Sequence, residues 1–455
     1  MLSAYVNCLK IPELKKRLFV TFGIIALCRV ASMIPCPGVD PHALAELFKS
    51  MSANRGAGGV FDMLDLFSGG AMENFAIGAL GIMPYISASI ILQLMTPVIP
   101  ALNKMVREGE AGQQKYNQIM RYITVVICII QGTMFSLAMM NPEKLRLSSG
   151  ASIVTNPGLM FIISTVITLT AGAMLIMWLG EIITERGIGN GASLIITINI
   201  IARLPNAIKN LLTMILGGAA TGGGDMNMIH LVILLAMFFL VCAGAVALTQ
   251  GMRKIPIRYA QRVAGVGKTS TVQTSYLPLR VNYSGVMPII FAGAILSFPM
   301  LLLQYAPNWA FFRWLIPNVA YGSTGYLLLY GALILVFSFF WVANQFNPIQ
   351  IADDLQKRGG YIPGIRPGEP TSDFLDHAMT RITLAGAIAL TVLAILPMLL
   401  SNSMGVPQVI SQFFGGTSLL IIVGVSLDTM RQIETHLLNR HYDGFMSKGR
   451  LRSRR

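Results

Sequence analysis

The sequence predicts an all-α polytopic membrane protein, with about ten transmembrane helices in two pseudo-symmetric five-helix halves of inverted topology. Three observations carry that prediction. The 455-residue chain is 54% hydrophobic and only 12% charged, with a mean hydropathy of +0.63; a soluble domain carries about twice that charged fraction. About ten apolar stretches recur along it, each near the ~20 residues that a helix needs to cross the hydrocarbon core. Every second loop between them is basic, and the intervening loops are not.

The stretches lie roughly at 18–36, 74–98, 120–140, 158–180, 190–204, 228–249, 285–304, 323–345, 380–400 and 409–429. They are long and continuously apolar, without the period-2 alternation of barrel strands, so each reads as a helix. A large soluble protein with buried helices fits this composition poorly. Of the 34 Lys and Arg, four precede the first stretch, four lie in the second loop, one in the fourth, six in the sixth, four in the eighth and seven after the last. Cytoplasmic loops retain basic residues, so both termini are expected in the cytoplasm and the number of spans is even. The N-terminus does not read as a cleaved signal peptide: Cys36-Pro37 follows the first apolar run, and no small-x-small site is evident.

Between the first two spans, an external segment at about 37–73 is Gly-rich, with Gly56, Gly58, Gly59, Gly69 and Gly70. It contains a short amphipathic piece, Phe61-Asp62-Met63-Leu64-Asp65-Leu66-Phe67. At ~1.5 Å per residue this piece is far too short to span. Two readings stand: a helix lying at the membrane surface, or a re-entrant piece that its flanking glycines allow to move. The expected organisation is an N-terminal half at 1–204 holding spans one to five and a C-terminal half at 205–435 holding spans six to ten. Cytoplasmic loops at 250–284 and 346–379 interrupt the second half, and a basic tail at 436–455 closes the chain. No direct sequence repeat links the halves.

The chemistry is as informative in what the spans omit. Pumps and ion-coupled transporters carry ionisable residues at membrane depth. Here only Arg29 and Asp428 lie near span ends, and the polar residues inside are the neutral Gln93, Gln131, Asn190, Asn199, Asn282, Asn344 and Gln345. Such amides make helix–helix hydrogen bonds or line a site. No acidic or His pair within the spans supports an intramembrane enzyme. The five cysteines (8, 28, 36, 128, 242) show no ligand spacing, so they read as buried thiols, with no metal, disulfide framework or cofactor implied. Gly265-Val266-Gly267-Lys268-Thr269 resembles the end of a phosphate-binding loop, but the full pattern needs Gly where Arg262 stands.

Two patterns remain. In Pro84-Tyr85-Ile86-Ser87-Ala88-Ser89-Ile90, the isoleucines are four apart and share a helix face. Three glycines in Gly187-Ile188-Gly189-Asn190-Gly191 open the fifth span, and Ile196 follows. Aliphatic residues on such faces pack helices together; the same residues in a ring seal a pore by dewetting. Spacing alone accommodates both. The formal charge of +14 fits anionic lipid and the orientation rule, yet the sixth and eighth loops carry more base than orientation needs.

Longer motifs supply a resemblance. Gly81-Ile82-Met83-Pro84-Tyr85-Ile86-Ser87-Ala88-Ser89-Ile90, Trp178-Leu179-Gly180-Glu181-Ile182-Ile183-Thr184-Glu185-Arg186-Gly187-Ile188-Gly189-Asn190-Gly191, Tyr361-Ile362-Pro363-Gly364-Ile365-Arg366-Pro367-Gly368 and Gly415-Gly416-Thr417-Ser418-Leu419-Leu420-Ile421 closely resemble the SecY family. Its members are central subunits of the bacterial Sec protein-conducting channel, and the likeness covers essentially the whole chain. By that resemblance, Phe61, Asp62, Met63, Leu64, Asp65, Leu66, Phe67, Ser68, Gly69 and Gly70 are expected to form a plug, within about 60–72. The implied pore ring is Ile86, Ile90, Ala192, Ile196, Ile290 and Ile421, with Ala192 smaller than the bulky residue usual there. Asn190 and Asn282 fall at polar positions of a lateral gate, between spans two and three on one side and seven and eight on the other.

The same resemblance makes Arg253, Lys254, Arg258, Arg262, Lys357, Arg358 and Arg366 a docking surface for the SecA ATPase or the ribosome. Protruding base suits RNA phosphate, and Arg binds acidic side chains bidentately. The alternative, orientation charge alone, stays open for any one of them. Further implied partners are small SecE-like and SecG-like membrane subunits, signal peptides, nascent chains and anionic lipids. The expected function is passive passage of unfolded, signal-bearing polypeptides across the bacterial plasma membrane, with sideways release of apolar helices into lipid. Against it stand an ion-coupled transporter and a purely structural membrane scaffold.

Overall fold

The computed structural model describes residues 12–40, 43–44, 65–140, 154, 156–221, 228–259, 274–304, 318, 323–404, 408–414 and 416–448. Its helices are α1 (Pro12–Ala31), α2 (Met83–Met95), α3 (Pro100–Arg107), α4 (Glu110–Met140), α5 (Leu159–Arg186), α6 (Gly191–Thr221) and α7 (Met228–Gln250) in the first part of the chain. A hairpin of β1 (Met252–Tyr259) and β2 (Thr274–Arg280) follows. Then come α8 (Met287–Gln304), α9 (Thr324–Gln345), α10 (Pro348–Lys357), β3 (Gly360–Tyr361), α11 (Glu369–Met404), α12 (Gln408–Phe414) and α13 (Thr417–Lys448).

Local signals set several starts. Ser323 caps α9 by accepting from the Tyr326 backbone N–H at 3.1 Å, and Asn347 caps α10 by accepting from Gln350 N–H at 3.2 Å. Pro84, Pro100 and Pro348 occupy first-turn positions, where a missing N–H costs no helical bond.

Among the described residues, seven helical segments are long and apolar enough to cross a membrane; α2 and α3, bent by 106° at their break, make an eighth if they form one span. The charged-ended α1 and the shorter apolar α8 bring the helices matching predicted stretches to ten. Their outer faces are apolar. Phe19, Phe22, Leu159, Met160, Phe239, Leu328 and Val336 are each at least three-fifths exposed. In water such faces would be interaction patches; against lipid they are the solvated surface.

Three features depart from the hydropathy reading. Helices outrun the apolar stretches: α4 begins at Glu110, α6 continues to Thr221, α11 begins at Glu369 and α13 continues to Lys448. Apolarity marks the part of a helix in lipid, not its ends. The second stretch, 74–98, is helical only from Met83, because residues 69–82 form turns, with Phe75 (φ 43°) and Gly81 (φ 55°) in the left-handed region. Thirteen residues of α2 reach only about 20 Å at ~1.5 Å each. Finally, the sixth loop is a hairpin, and β3 of the eighth loop joins it in an antiparallel sheet ordered β2-β1-β3. Ile255 and Ile257 alternate inward along β1. Ile255 and Leu279 pack with Val342, Phe346, Ile362, Leu375 and Met379, which seats the sheet on α9 and α11.

Candidate functional site

The largest apolar cluster joins the two parts of the chain. It includes Ile24 of α1, Leu66 and Phe67 ahead of α2, Ile86 and Ile90 of α2, Ile196 and Ile200 of α6, Ile290 of α8, and Ile421 and Val425 of α13. All but one of the sequence-predicted ring residues are therefore buried members of one cluster; Ala192 is half-buried against it. Ile86, Ala192, Ile196 and Ile290 also wall one cavity of about 350 Å³. Ile90 and Ile421 lie in the cluster but not on that wall.

The cavity sits where the resemblance expects the lateral gate. Its walls come from α2 (Tyr85, Ser89, Gln93), α4 (Asn117, Arg121), α5 (Met177, Glu181, Glu185), α8 (Met287, Phe291) and α9 (Trp341). Phe291 meets Trp341 edge-on with ring centroids 5.3 Å apart, and Phe337 at 6.0 Å, which ties α8 to α9. Arg121 bridges to Glu181 through two hydrogen bonds, at 2.6 and 3.3 Å, and holds α4 to α5 in the cavity lining. The lining sets apolar side chains such as Ile82, Ile86, Ile196 and Ile290 beside polar and charged ones, among them Ser89, Gln93, Asn117, Arg121 and Glu181.

The predicted gate amides bond locally. Asn190 lines the cavity, and its side-chain oxygen caps α6 by accepting from the Ser193 N–H at 3.2 Å. Asn282 donates to the Gly285 carbonyl at 2.9 Å and accepts from the Ser284 hydroxyl at 3.1 Å, which shapes the turn into α8. It does not line the cavity. Asn190 thus sets where α6 begins, and Asn282 shapes the turn that leads into α8.

Of the predicted plug, Phe61, Asp62, Met63 and Leu64 lie outside the described residues. Residues 65–68 form a helical turn, with Leu66, Phe67, Ser68 and Gly69 buried. Leu66 and Phe67 enter the same cluster as the isoleucines. Arg29 of α1 donates to the Gly69 carbonyl at 3.0 Å and to Asn199 Oδ1 at 3.2 Å. Asn199 of α6 donates to the Phe67 carbonyl at 2.9 Å. Arg203 of α6 pairs with Asp65 and, at 2.6 Å, with Glu73. Sequence reasoning missed Arg203 altogether and treated Asn199 as one amide among several. The one available signal was that Arg29 and Arg203 stand near the ends of the first and fifth apolar stretches, on the side predicted to be external, where the segment carrying Asp65 also lies.

Pairing of Arg258 with Tyr361 brings the basic sixth and eighth loops into one body. Arg253, Lys254, Arg258, Lys357, Arg358 and Arg366 are all exposed on it; Arg262 lies outside the described residues. The loop carrying Arg366 is braced by a hydrogen bond from the Thr371 hydroxyl to the Arg366 carbonyl at 2.7 Å.

A bundle of apolar helices around a shared aliphatic cluster and a cavity, with a separate chain segment packed into that cluster, is the architecture of multi-pass membrane channels. The SecY family model matches residues 76–430. The chain is 42% identical to the protein translocase subunit SecY of Streptomyces galbus, over 98% of this chain and all of that one. It is 40% identical to the Escherichia coli subunit, over 97% and 95%, and 39% to that of Thermotoga maritima, over the full length of both. Among solved structures, a protein-conducting channel superposes with a TM-score of 0.58 at 18% identity, covering 94% of this chain and 96% of that one. The Sec61 channel of a canine ribosome–channel complex gives 0.56 at 17% over the same shares. These structural likenesses establish the fold. The chain belongs to the SecY family. It is a multi-pass membrane protein and a subunit of a protein-conducting channel.

Proposed function

We propose that this chain is the central, pore-forming subunit of a bacterial plasma-membrane translocase, with both termini in the cytoplasm. Unfolded, signal-bearing polypeptides cross through it, and apolar helices leave sideways between α2 and α4 on one side and α8 and α9 on the other. The observation that carries this reading is the apolar cluster shared by α2, α6, α8 and α13 beside a cavity to which α2, α4, α8 and α9 all contribute. Ile86, Ile90, Ala192, Ile196, Ile290 and Ile421 form the seal. They bind no particular side chain strongly, so very different sequences pass, and they exclude water when no chain is present. The 61–70 segment closes the seal from outside. A signal sequence enters the gate because its apolar core favours lipid and apolar walls over water.

The chain supplies no chemical step. The push comes from SecA hydrolysing ATP, or from a translating ribosome, docked on Arg253, Lys254, Arg258, Arg262, Lys357, Arg358 and Arg366. A likeness to channels in ribosome-bound complexes supports that side of the reading. Small SecE-like and SecG-like subunits clamp the halves 1–204 and 205–435, and anionic lipid neutralises the basic loops and the 436–455 tail.

The test is uptake of a signal-bearing precursor into vesicles holding this chain with SecE-like and SecG-like partners, SecA and ATP. Protease-protected precursor that accumulates only with ATP is the expected result. A folded complex that binds SecA yet protects no precursor would overturn the reading.

A further inference from the structure

The closing segment is held by more than apolar contact. Two guanidinium groups reach it from two different helices. Arg29, from α1, bonds the Gly69 carbonyl and is steadied by Asn199. Arg203, from α6, pairs with both Asp65 and Glu73. Asp65 also accepts the Glu73 N–H at 2.9 Å, so its carboxylate ties the segment to itself as well as to α6. Asn199 completes the set from α6 by donating to the Phe67 carbonyl.

Gly69 and Gly70 are what allow the guanidiniums this close. Both have positive φ, 69° and 92°. A Cβ on Gly69 would collide with Arg29 Nη1 and come within 2.9 Å of Asn199 Cα; one on Gly70 would come within 3.1 Å of Arg203 Cζ. The geometry therefore requires glycine twice, for backbone shape and for contact. The Arg203 and Asp65 side chains are only 16% and 14% exposed, so water screens the pair weakly and separating the two leaves each to be resolvated.

From this arrangement we propose that Arg29, Asn199 and Arg203 form a polar clamp on the Asp65–Glu73 segment that sets how strongly a substrate must bind before the channel opens. The aliphatic seal cannot set that threshold finely, because its contacts are non-directional and re-form around many guests. A clamp of directed bonds breaks as a unit once the segment moves by about one hydrogen-bond length. The three are positioning residues: each bonds the closing segment or its neighbours in the clamp, and none lines the cavity. The inference rests on reading 61–70 as the closure.

The experiment is single-channel recording of the complex with its small membrane subunits in planar bilayers, without substrate. Five variants are compared with the parent: Arg203→Met, Asp65→Asn, the two combined, Arg203→Lys, and deletion of 61–70. Each neutralising single change is expected to raise idle open probability about ten- to a hundredfold, the range for losing one charged hydrogen bond. The combined variant should leak no more than Arg203→Met alone, because both changes break the Arg203–Asp65 pair and Arg203→Met already breaks the Glu73 pair as well. Arg203→Lys should recover much of the closure, which a general packing defect would not. In vesicles, the leaky variants should also import precursors with shortened apolar signals. If deletion leaks and the single variants stay shut, or if the two changes multiply independently, the clamp is wrong while the closure stands. If deletion also leaves the idle channel shut, the closure reading itself falls.

Discussion

Replacing Ile290 by Ser in α8 isolates the seal from the fold. Ile290 is buried, belongs to the main apolar cluster and walls the cavity. Losing its burial forfeits about 2 kcal/mol. A serine hydroxyl without a partner in that cluster costs about 1–3 kcal/mol more. Both penalties fall on the closed channel; once water or a polar chain fills the pore, the hydroxyl is solvated and the isoleucine is no longer an advantage. A differential of about 3 kcal/mol corresponds to roughly a hundredfold rise in open probability, at about 1.4 kcal/mol per tenfold. If neighbours relax into half of it, about tenfold remains, well within reach of planar-bilayer recording. Leu296→Ser is the matched control. Leu296 is on the same helix, in the same cluster and similarly buried, but is absent from the cavity wall. It should lower thermal stability without leak. Equal conductance of Ile290→Ser and the parent, or equal leak from both serine variants, would refute the assignment of Ile290 to a seal.

Reversing Arg366 to Glu on the exposed, braced loop should weaken SecA-driven import while leaving melting unchanged; normal import in reconstituted vesicles would remove that residue from the docking surface. Leu279→Ala under the sheet should cost about 2–5 kcal/mol, seen as faster hydrogen exchange across β1 and β3 with α4 unaffected. Asn190→Ala should destabilise the start of α6 by about 1 kcal/mol and Asn190→Ser should restore most of it, measured as the melting temperature of the purified complex. Cys28, Cys36 and Cys128 are buried, so they should resist a maleimide in the intact complex and react after denaturation in detergent.

Hydropathy located every span because the lipid imposes one simple rule, an apolar run of fixed length. The isoleucines of the proposed seal were legible as a helical face at 86 and 90, and their grouping with 196, 290 and 421 in one apolar cluster was expected only through family motifs, since no local pattern relates residues on four helices. The β1–β2 hairpin escaped because its apolar positions are few: Ile255, Ile257, Leu277 and Leu279 alternate within a loop otherwise marked by charge. The non-helical start of the second stretch escaped for the opposite reason. Residues 75–82 are as apolar as a span, but Phe75, Ala76, Ala79, Leu80 and Ile82 are buried within the protein, which permits an irregular backbone. Arg203 escaped because a single charge after an apolar run reads as a boundary, and its partner lies 138 residues away in sequence.

These differences place polar and apolar contacts in separate roles. The aliphatic cluster must tolerate any side chain, so it has to be indifferent to chemistry, and indifference leaves the closed and open states close in energy wherever a guest replaces the contacts it disrupts. Directional bonds cannot be replaced by an apolar guest. In the proposed channel, locating them on the closing segment rather than in the seal would let the resting channel stay shut without making the pore selective against polar cargo. The same logic fits a proposed ring without ionisable side chains: Ile86, Ile90, Ala192, Ile196, Ile290 and Ile421 carry none, whereas the Arg121–Glu181 pair joins α4 to α5 elsewhere in the cavity lining, and a charge inside the ring would hydrate the empty pore and remove the dewetting barrier to ions.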